Sequence, residues 1–207
     1  MRKKLHVFVA FSIFLTGQLS LPSYAEQAFT PPSAIDVAGS GTGTSTTTPT
    51  VPESVMNGLN SASTLSGMNI IDFGTLAGGH LDFGNNNFAN AAGGTIYAIS
   101  SNSAIQTAQI SALNIFNAGT ITTIIPTGGL PGYSTANLVQ GLNLSLSAVQ
   151  NIVNTGSLTS AGSLAVSAPA VYNALPAATA ASVAPIMSAV QSLNVQTNNL
   201  INSGTIV

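Results

Sequence analysis

Asn114-Ile115-Phe116-Asn117-Ala118-Gly119-Thr120-Ile121 returns twice along the chain. The second copy is Asn151-Ile152-Val153-Asn154-Thr155-Gly156-Ser157-Leu158 and the third is Asn199-Leu200-Ile201-Asn202-Ser203-Gly204-Thr205-Ile206. The shared form is Asn, apolar, apolar, Asn, small, Gly, hydroxyl, apolar. A looser copy, Asn87-Phe88-Ala89-Asn90, is followed by Ala91-Ala92-Gly93-Gly94-Thr95-Ile96. Internal repetition of this kind marks stacked-repeat architectures. Asn90, Asn117, Asn154 and Asn202, with Gly119, Gly156 and Gly204, are read as the turn residues of the repeat. Asn and Gly are the residues that most readily accept positive φ. After each turn the hydroxyl–apolar pair starts an alternating strand, with Ile121, Leu158 and Ile206 inward and Thr120, Ser157 and Thr205 outward.

The surrounding sequence keeps that style. Leu142-Asn143-Leu144-Ser145-Leu146-Ser147 alternates as a half-buried strand does, and Ser163-Leu164-Ala165-Val166-Ser167 continues it. Short strands separated by turns can be satisfied by winding into a right-handed parallel β-helix, each coil hydrogen-bonding the next. The expected class is therefore all-β, a solenoid over residues 54–207, with an ordinary β-sandwich or an aggregation-prone, partly folded exported chain as the alternatives. Stacked Asn side chains would form amide ladders like those of cross-β assemblies. The copies are irregularly spaced, 37 residues from Asn117 to Asn154 and 48 from Asn154 to Asn202. Unmarked coils and inserted loops must lie between them. Residues 168–192 are Ala-rich and read as a short helical insertion, which Pro176 and Pro185 would interrupt. Residues 134–139 read as a short helical turn. The chain stops just after the third motif, which reads as truncation of a longer repeat region, with open strand edges available for self-association.

Upstream, residues 1–25 carry Arg2, Lys3 and Lys4, an apolar run, and Ser23-Tyr24-Ala25. This is the pattern of a secretory signal peptide cut after Ala25. Residues 26–53 form a Gly/Ser/Thr/Pro-rich tract and read as a flexible linker. After residue 25 there is no Lys or Arg, and the charges are Glu26, Asp36, Glu53, Asp72 and Asp82, so that part of the chain carries −5. Ser, Thr and Asn make up 62 of its 182 residues. Without basic residues it cannot grip nucleic-acid phosphates. Without Cys it has no disulfides, thiolate zinc site or cysteine nucleophile. No later apolar stretch is long enough for a transmembrane helix.

Two further features invite a chemical reading. Ile71-Asp72-Phe73-Gly74 and Leu81-Asp82-Phe83-Gly84 form a doublet, with His80 between the aspartates. Paired carboxylates can cleave glycosidic bonds, and His with Asp can exchange protons. The plainer reading is a loop with a solvated His between two turn aspartates. Asp72 and Asp82 alone are too few oxygens for a calcium site. No catalytic residue, cofactor or metal ligand is assigned.

Asn117-Ala118-Gly119-Thr120-Ile121 and Asn154-Thr155-Gly156-Ser157-Leu158-Thr159, with Ser160-Ala161-Gly162-Ser163-Leu164 trailing, resemble the repeats of filamentous-haemagglutinin-type adhesins. Phe83-Gly84-Asn85-Asn86 with Gly93-Gly94-Thr95-Ile96-Tyr97-Ala98 resembles the repeats of polymorphic outer-membrane autotransporter passengers. The chain has no Asn-Pro dipeptide, which the haemagglutinin type carries near its start. The resemblance implies a bacterial, exported, surface-exposed β-helix that is structural or adhesive rather than enzymatic. Its partners would be surface glycans or proteins. A polysaccharide-cleaving β-helix enzyme and a non-functional remnant of a larger adhesin are the alternatives.

Overall fold

The structure, a computed structural model, describes residues 50–57, 61–176 and 183–207. The signal-peptide expectation and residues 26–49 of the expected linker lie outside the described residues. Among the described residues the chain is all-β, with strands that pair in parallel and return repeatedly to the same positions. The first pass is β1 (Ala62–Leu65) and β2 (Met68–Asp72). The second is β3 (His80–Asp82), β4 (Asn87–Asn90) and β5 (Thr95–Ile99). The third is β6 (Thr107–Asn117) and β7 (Thr120–Thr122), and the fourth is β8 (Asn143–Asn154) and β9 (Ser157–Ser160). The fifth is β10 (Leu164–Ser167), β11 (Ala170–Asn173) and β12 (Ile186–Ala189). The sixth is β13 (Leu193–Gln196), β14 (Asn199–Asn202) and β15 (Thr205–Ile206).

Each full pass visits three strand positions, and β6 and β8 are long enough to occupy the first two. One sheet runs β1-β4-β6-β8-β10-β13, with β3 on β6 and β11 between β8 and β14. The other runs β15-β12-β9-β7-β5-β2. Register places like residues above one another. At the first position Leu81, Ile110, Leu146, Val166 and Val195 stack. At the second, Phe88, Ile115, Ile152, Val171 and Leu200 stack. At the third, Ile96, Ile121, Leu158, Met187 and Ile206 stack. These columns form the main core, in which Ile121, Ile152 and Leu158 are completely buried. Alternation of two along each strand sends every second side chain into this core.

A second, smaller core lies on the outer side of the second strand position. Phe116, Val153 and Tyr172 stack there in register and are buried beneath Val51, Val55 and Met56. The covering segment is the single-turn α1 (Glu53–Met56) with Val51, whose N–H donates to the Leu175 carbonyl at 3.1 Å. Packed structure therefore already includes Val51, ahead of the expected start at residue 54. Residues 123–142 fold over Tyr97 and Ile99 with Leu130, Leu138 and Tyr133. They include the expected short turn, a 3-10 turn over Thr135–Asn137.

The expected helical insertion is corrected. In the described part of 168–192 the chain forms β11 and β12 and no helix. Ala propensity is outweighed here by tertiary pairing. Val171 and Met187 fill the next places in their core columns, and Pro169, Pro176 and Pro185 exclude a long helix. Residues 177–182 of that segment lie outside the described residues.

The main core makes a direct prediction. Leu158→Ala should destabilise the chain by about 2–5 kcal/mol. Urea unfolding followed by far-ultraviolet dichroism should show the midpoint falling, with the slope unchanged.

Candidate functional site

The repeat motif builds a corner between the second and third strand positions. There Asn90, Asn117, Asn154, Asn173 and Asn202 occupy equivalent places in successive passes. The amide Nδ2 of Asn90 donates to Oδ1 of Asn117 at 2.9 Å. Asn117 donates likewise to Asn154, Asn154 to Asn173 and Asn173 to Asn202, each at 2.8 Å. The second N–H of each amide donates to the first carbonyl of the next pass's third strand. Thus Asn117 reaches Ser157 O at 2.9 Å, Asn154 reaches Ile186 O at 2.9 Å and Asn173 reaches Thr205 O at 3.1 Å. Asn90, Asn117, Asn154 and Asn173 are at most 2% exposed. Buried amides are tolerated because each is satisfied by its neighbours. Asn90 Oδ1 is the exception and has no hydrogen-bond partner among the described residues. The preceding pass carries Leu65 at that place, so the ladder begins at Asn90.

A second ladder runs the other way, three residues earlier in the motif. Asn151 Nδ2 donates to Asn114 Oδ1 at 2.8 Å, and Asn114 Nδ2 donates to Asn87 Oδ1 at 2.9 Å. It stops at Ala170, which replaces Asn in the fifth pass.

The glycines serve a different purpose from the one expected. Gly119, Gly156 and Gly204 do not have positive φ, and neither does any Asn among the described residues. They are glycines because the passes come too close for a side chain. A Cβ on Gly119 would collide with the carbonyl oxygen of Gly94, one on Gly156 with that of Gly119, and one on Gly204 with that of Pro185. Pro185 itself takes the glycine's place in the fifth pass. The sequence-derived residues Asn90, Asn117, Gly119, Asn154, Gly156, Asn202 and Gly204 thus all sit at one corner. Asn173 belongs with them and went unnoticed in the sequence, since Ala170-Val171-Tyr172-Asn173 lacks both the first Asn and the Gly.

The aspartate doublet forms two matching turns. Asp72 Oδ1 accepts from Gly74 N and Ser101 N, and Asp82 Oδ1 accepts from Gly84 N, each at 2.9 Å. Phe73 turns into the core, and Phe83 stacks on Phe88 with ring centres 4.6 Å apart. The two carboxylates lie in different sheets, on β2 and β3. His80 and Asp82 converge on Ser111 in the next pass, a residue that sequence reading missed. Ser111 Oγ donates to Asp82 Oδ1, and His80 Nε2 lies 2.8 Å from Ser111 Oγ. That order leaves the imidazole as donor to Ser111, the reverse of a serine nucleophile activated by histidine. The Ser111 hydroxyl, then the Gly84 N–H, hold the Asp82 carboxyl below the usual carboxylate range. A carboxylate of lowered basicity is a weak proton acceptor. Among the described residues no group of three or more His, Asp or Glu could hold a metal ion.

The outer face of the first strand position is polar. One row runs Asp82, Ser111, Ser147, Ser167 and Gln196, and beside it run His80, Gln109, Ser145, Ala165 and Asn194. Beyond Asp82 the sequence contains no charged side chain. A shallow groove of about 490 Å³ crosses the glycine corner, and no charged residue lines it. No helix among the described residues is long and apolar enough to cross a membrane. Comparison of the chain with protein-family models, with curated proteins and with solved structures finds no match.

The corner predicts an order of mutational cost. Asn154→Ala leaves a buried donor on Asn117 and a buried acceptor on Asn173, each costing about 1–3 kcal/mol. Asn151→Ala, at the half-buried end of the second ladder next to Ala170, should cost about 1 kcal/mol. Gly156→Ala should exceed both, because a carbonyl occupies the space its methyl needs. Urea unfolding midpoints for the three variants check the ranking.

Proposed function

We propose that this chain is a right-handed parallel β-helix with three strands per coil, exported to the bacterial cell surface as a structural or adhesive element that performs no catalysis. Support for the helical winding is the recurrence of three strand positions in fixed order, all paired in parallel. Parallel crossovers are right-handed in the great majority of cases. Support for export is the basic, apolar and small-residue pattern of residues 1–25.

The observation that carries the adhesive reading is the outer face of the first strand position. Beyond His80 and Asp82 it repeats hydroxyls and amides in register from pass to pass without charge. Such a face engages a partner by many weak contacts, and its strength comes from repetition. Surface glycans or proteins are the partners it suits, and the edge strands offer a second route through association of copies. The Ser111–Asp82 hydrogen bond and the separation of Asp72 from Asp82 argue against a hydrolytic pair.

The test combines location, attachment and chemistry. The chain expressed with its leader in a bacterial host should be recovered outside the cytoplasm with Glu26 at its N-terminus. Beads coated with it should adhere to cells or glycan-coated surfaces, and polysaccharides should yield no new reducing ends. Reducing-sugar release that disappears in the Asp72→Asn, Asp82→Asn double variant would contradict the proposal.

A further inference from the structure

The first and sixth passes are built differently. In β13, β14 and β15 the core columns continue through Val195, Leu200 and Ile206, and the two amide ladders have Asn199 and Asn202 at their places. Each of these strands pairs on one side only among the described residues. At every earlier corner the Asn Nδ2 reaches the next pass, whereas that of Asn202 donates to no described residue. The sixth pass thus carries a full rung pattern on an open edge. The first pass is a poor match for the rung it covers. β1 sets Ser63 against Phe88 and Leu65 against Asn90, and β2 sets Asn69 against Ile96. Two core columns and one ladder therefore meet the wrong kind of residue. Asn90 Oδ1 is left buried without a donor, which buried acceptors rarely lack. Asn87 Nδ2 is met by the Ser61 hydroxyl, at 3.1 Å, instead of an amide. β3 pairs with β6 alone, because the described part of the first pass has no strand at the first position.

We infer that copies of this chain associate head to tail, the sixth pass of one copy taking the place of the first pass on β3, β4 and β5 of the next. The inference rests on the coil reading above and specifies its second route, the association of copies. In the register that the earlier passes keep, the incoming Val195 meets Leu81, Leu200 meets Phe88 and Ile206 meets Ile96. The incoming Asn202 donates Nδ2 to the orphaned Asn90 Oδ1, and Asn87 donates Nδ2 to the incoming Asn199 Oδ1. Both ladders then run on with the polarity they have inside one chain, where Asn90 donates to Asn117 and Asn114 donates to Asn87. Stacking on an intact first pass satisfies none of this. It would set Asn202 against Leu65 and leave β13 at a level with no strand beneath it. The contact joins two different surfaces, so it does not close on itself and builds filaments.

Sedimentation velocity of the purified chain over a range of concentrations, with cross-linking, tests this. Oligomers should grow with concentration, as mass action requires. Leu65→Asn supplies Asn90 Oδ1 with a donor from within the chain. It should raise the urea midpoint and raise the concentration for half-assembly by about tenfold or more. Asn199→Ala removes no side-chain hydrogen bond within the described chain and should weaken assembly by about fivefold, with the dichroism spectrum unchanged. The chain has no cysteine of its own. Mixing His80→Cys copies with Asn194→Cys copies sets the two thiols one strand spacing apart, about 4.8 Å, across the inferred contact. Within one chain the same positions are four strands apart. A short bis-maleimide should join the mixture into dimers and leave either variant alone unjoined. Monomers at every concentration, assembly indifferent to Leu65→Asn, or no cross-link specific to the mixture would overturn the inference. If coated beads still adhere to cells in any of those cases, the adhesive reading stands and only the head-to-tail contact falls. Loss of adhesion as well removes both.

Discussion

Everything in the described structure depends on two passes of chain coming within one strand spacing of each other at a corner that has no room for a side chain. Gly119 lies under the Gly94 carbonyl and Gly156 under that of Gly119. The buried asparagines beside them convert that close approach into specific bonding, with Asn117, Asn154 and Asn173 each engaged by the pass before and the pass after. An amide ladder tolerates no slippage. A shift of one residue would bury Asn154 against an apolar neighbour and leave several polar atoms without partners. The ladder therefore sets the register, and the register in turn stacks Ile115 on Ile152 and Ile121 on Leu158 to make the core.

The same constraint accounts for the composition. Like residues stacked in register cannot be like charges, because the repulsion would recur at every pass. Charges in the described residues are confined to Glu53, Asp72 and Asp82, outside the four passes that follow β5. Those two aspartates fix turns, where their carboxylates accept backbone N–H groups. What remains for the surface is Ser, Thr, Asn and Gln, and the face they make is neutral by necessity of the stacking.

Much of this was legible in the amino-acid sequence because the ladder needs the same residue type at each pass. Three octapeptides carry Asn at equivalent places, and alternation marked Leu144 and Leu146 as inward. The fifth pass was not legible. Asn173 is preceded by Ala170, and its Gly is replaced by Pro185 after an inserted segment, so the motif is broken on both sides. Its Ala-rich stretch then suggested a helix where pairing of β12 with β9 and of β11 with β8 imposes strands. The reason for the glycines was also hidden, since positive φ and lack of space select the same residue and only coordinates separate them. Ser111 joined His80 and Asp82 through pairing of β3 with β6, a contact 29 and 31 residues long in sequence that no local pattern announces. The burial of Phe116, Val153 and Tyr172 under Val51 was equally silent, because the covering segment lies far upstream of the strands it covers.

Nuclear magnetic resonance of the side-chain amides examines the ladder itself. The Hδ2 protons of Asn90, Asn117, Asn154, Asn173 and Asn202 should give cross peaks that link each residue to the next, although successive members are 27, 37, 19 and 29 residues apart. Those of the four buried members should exchange with solvent far more slowly than the amide of Asn137, which lies in an exposed turn. Rapid exchange at all five asparagines, with no contact between Asn117 and Asn154, would contradict the account at its foundation.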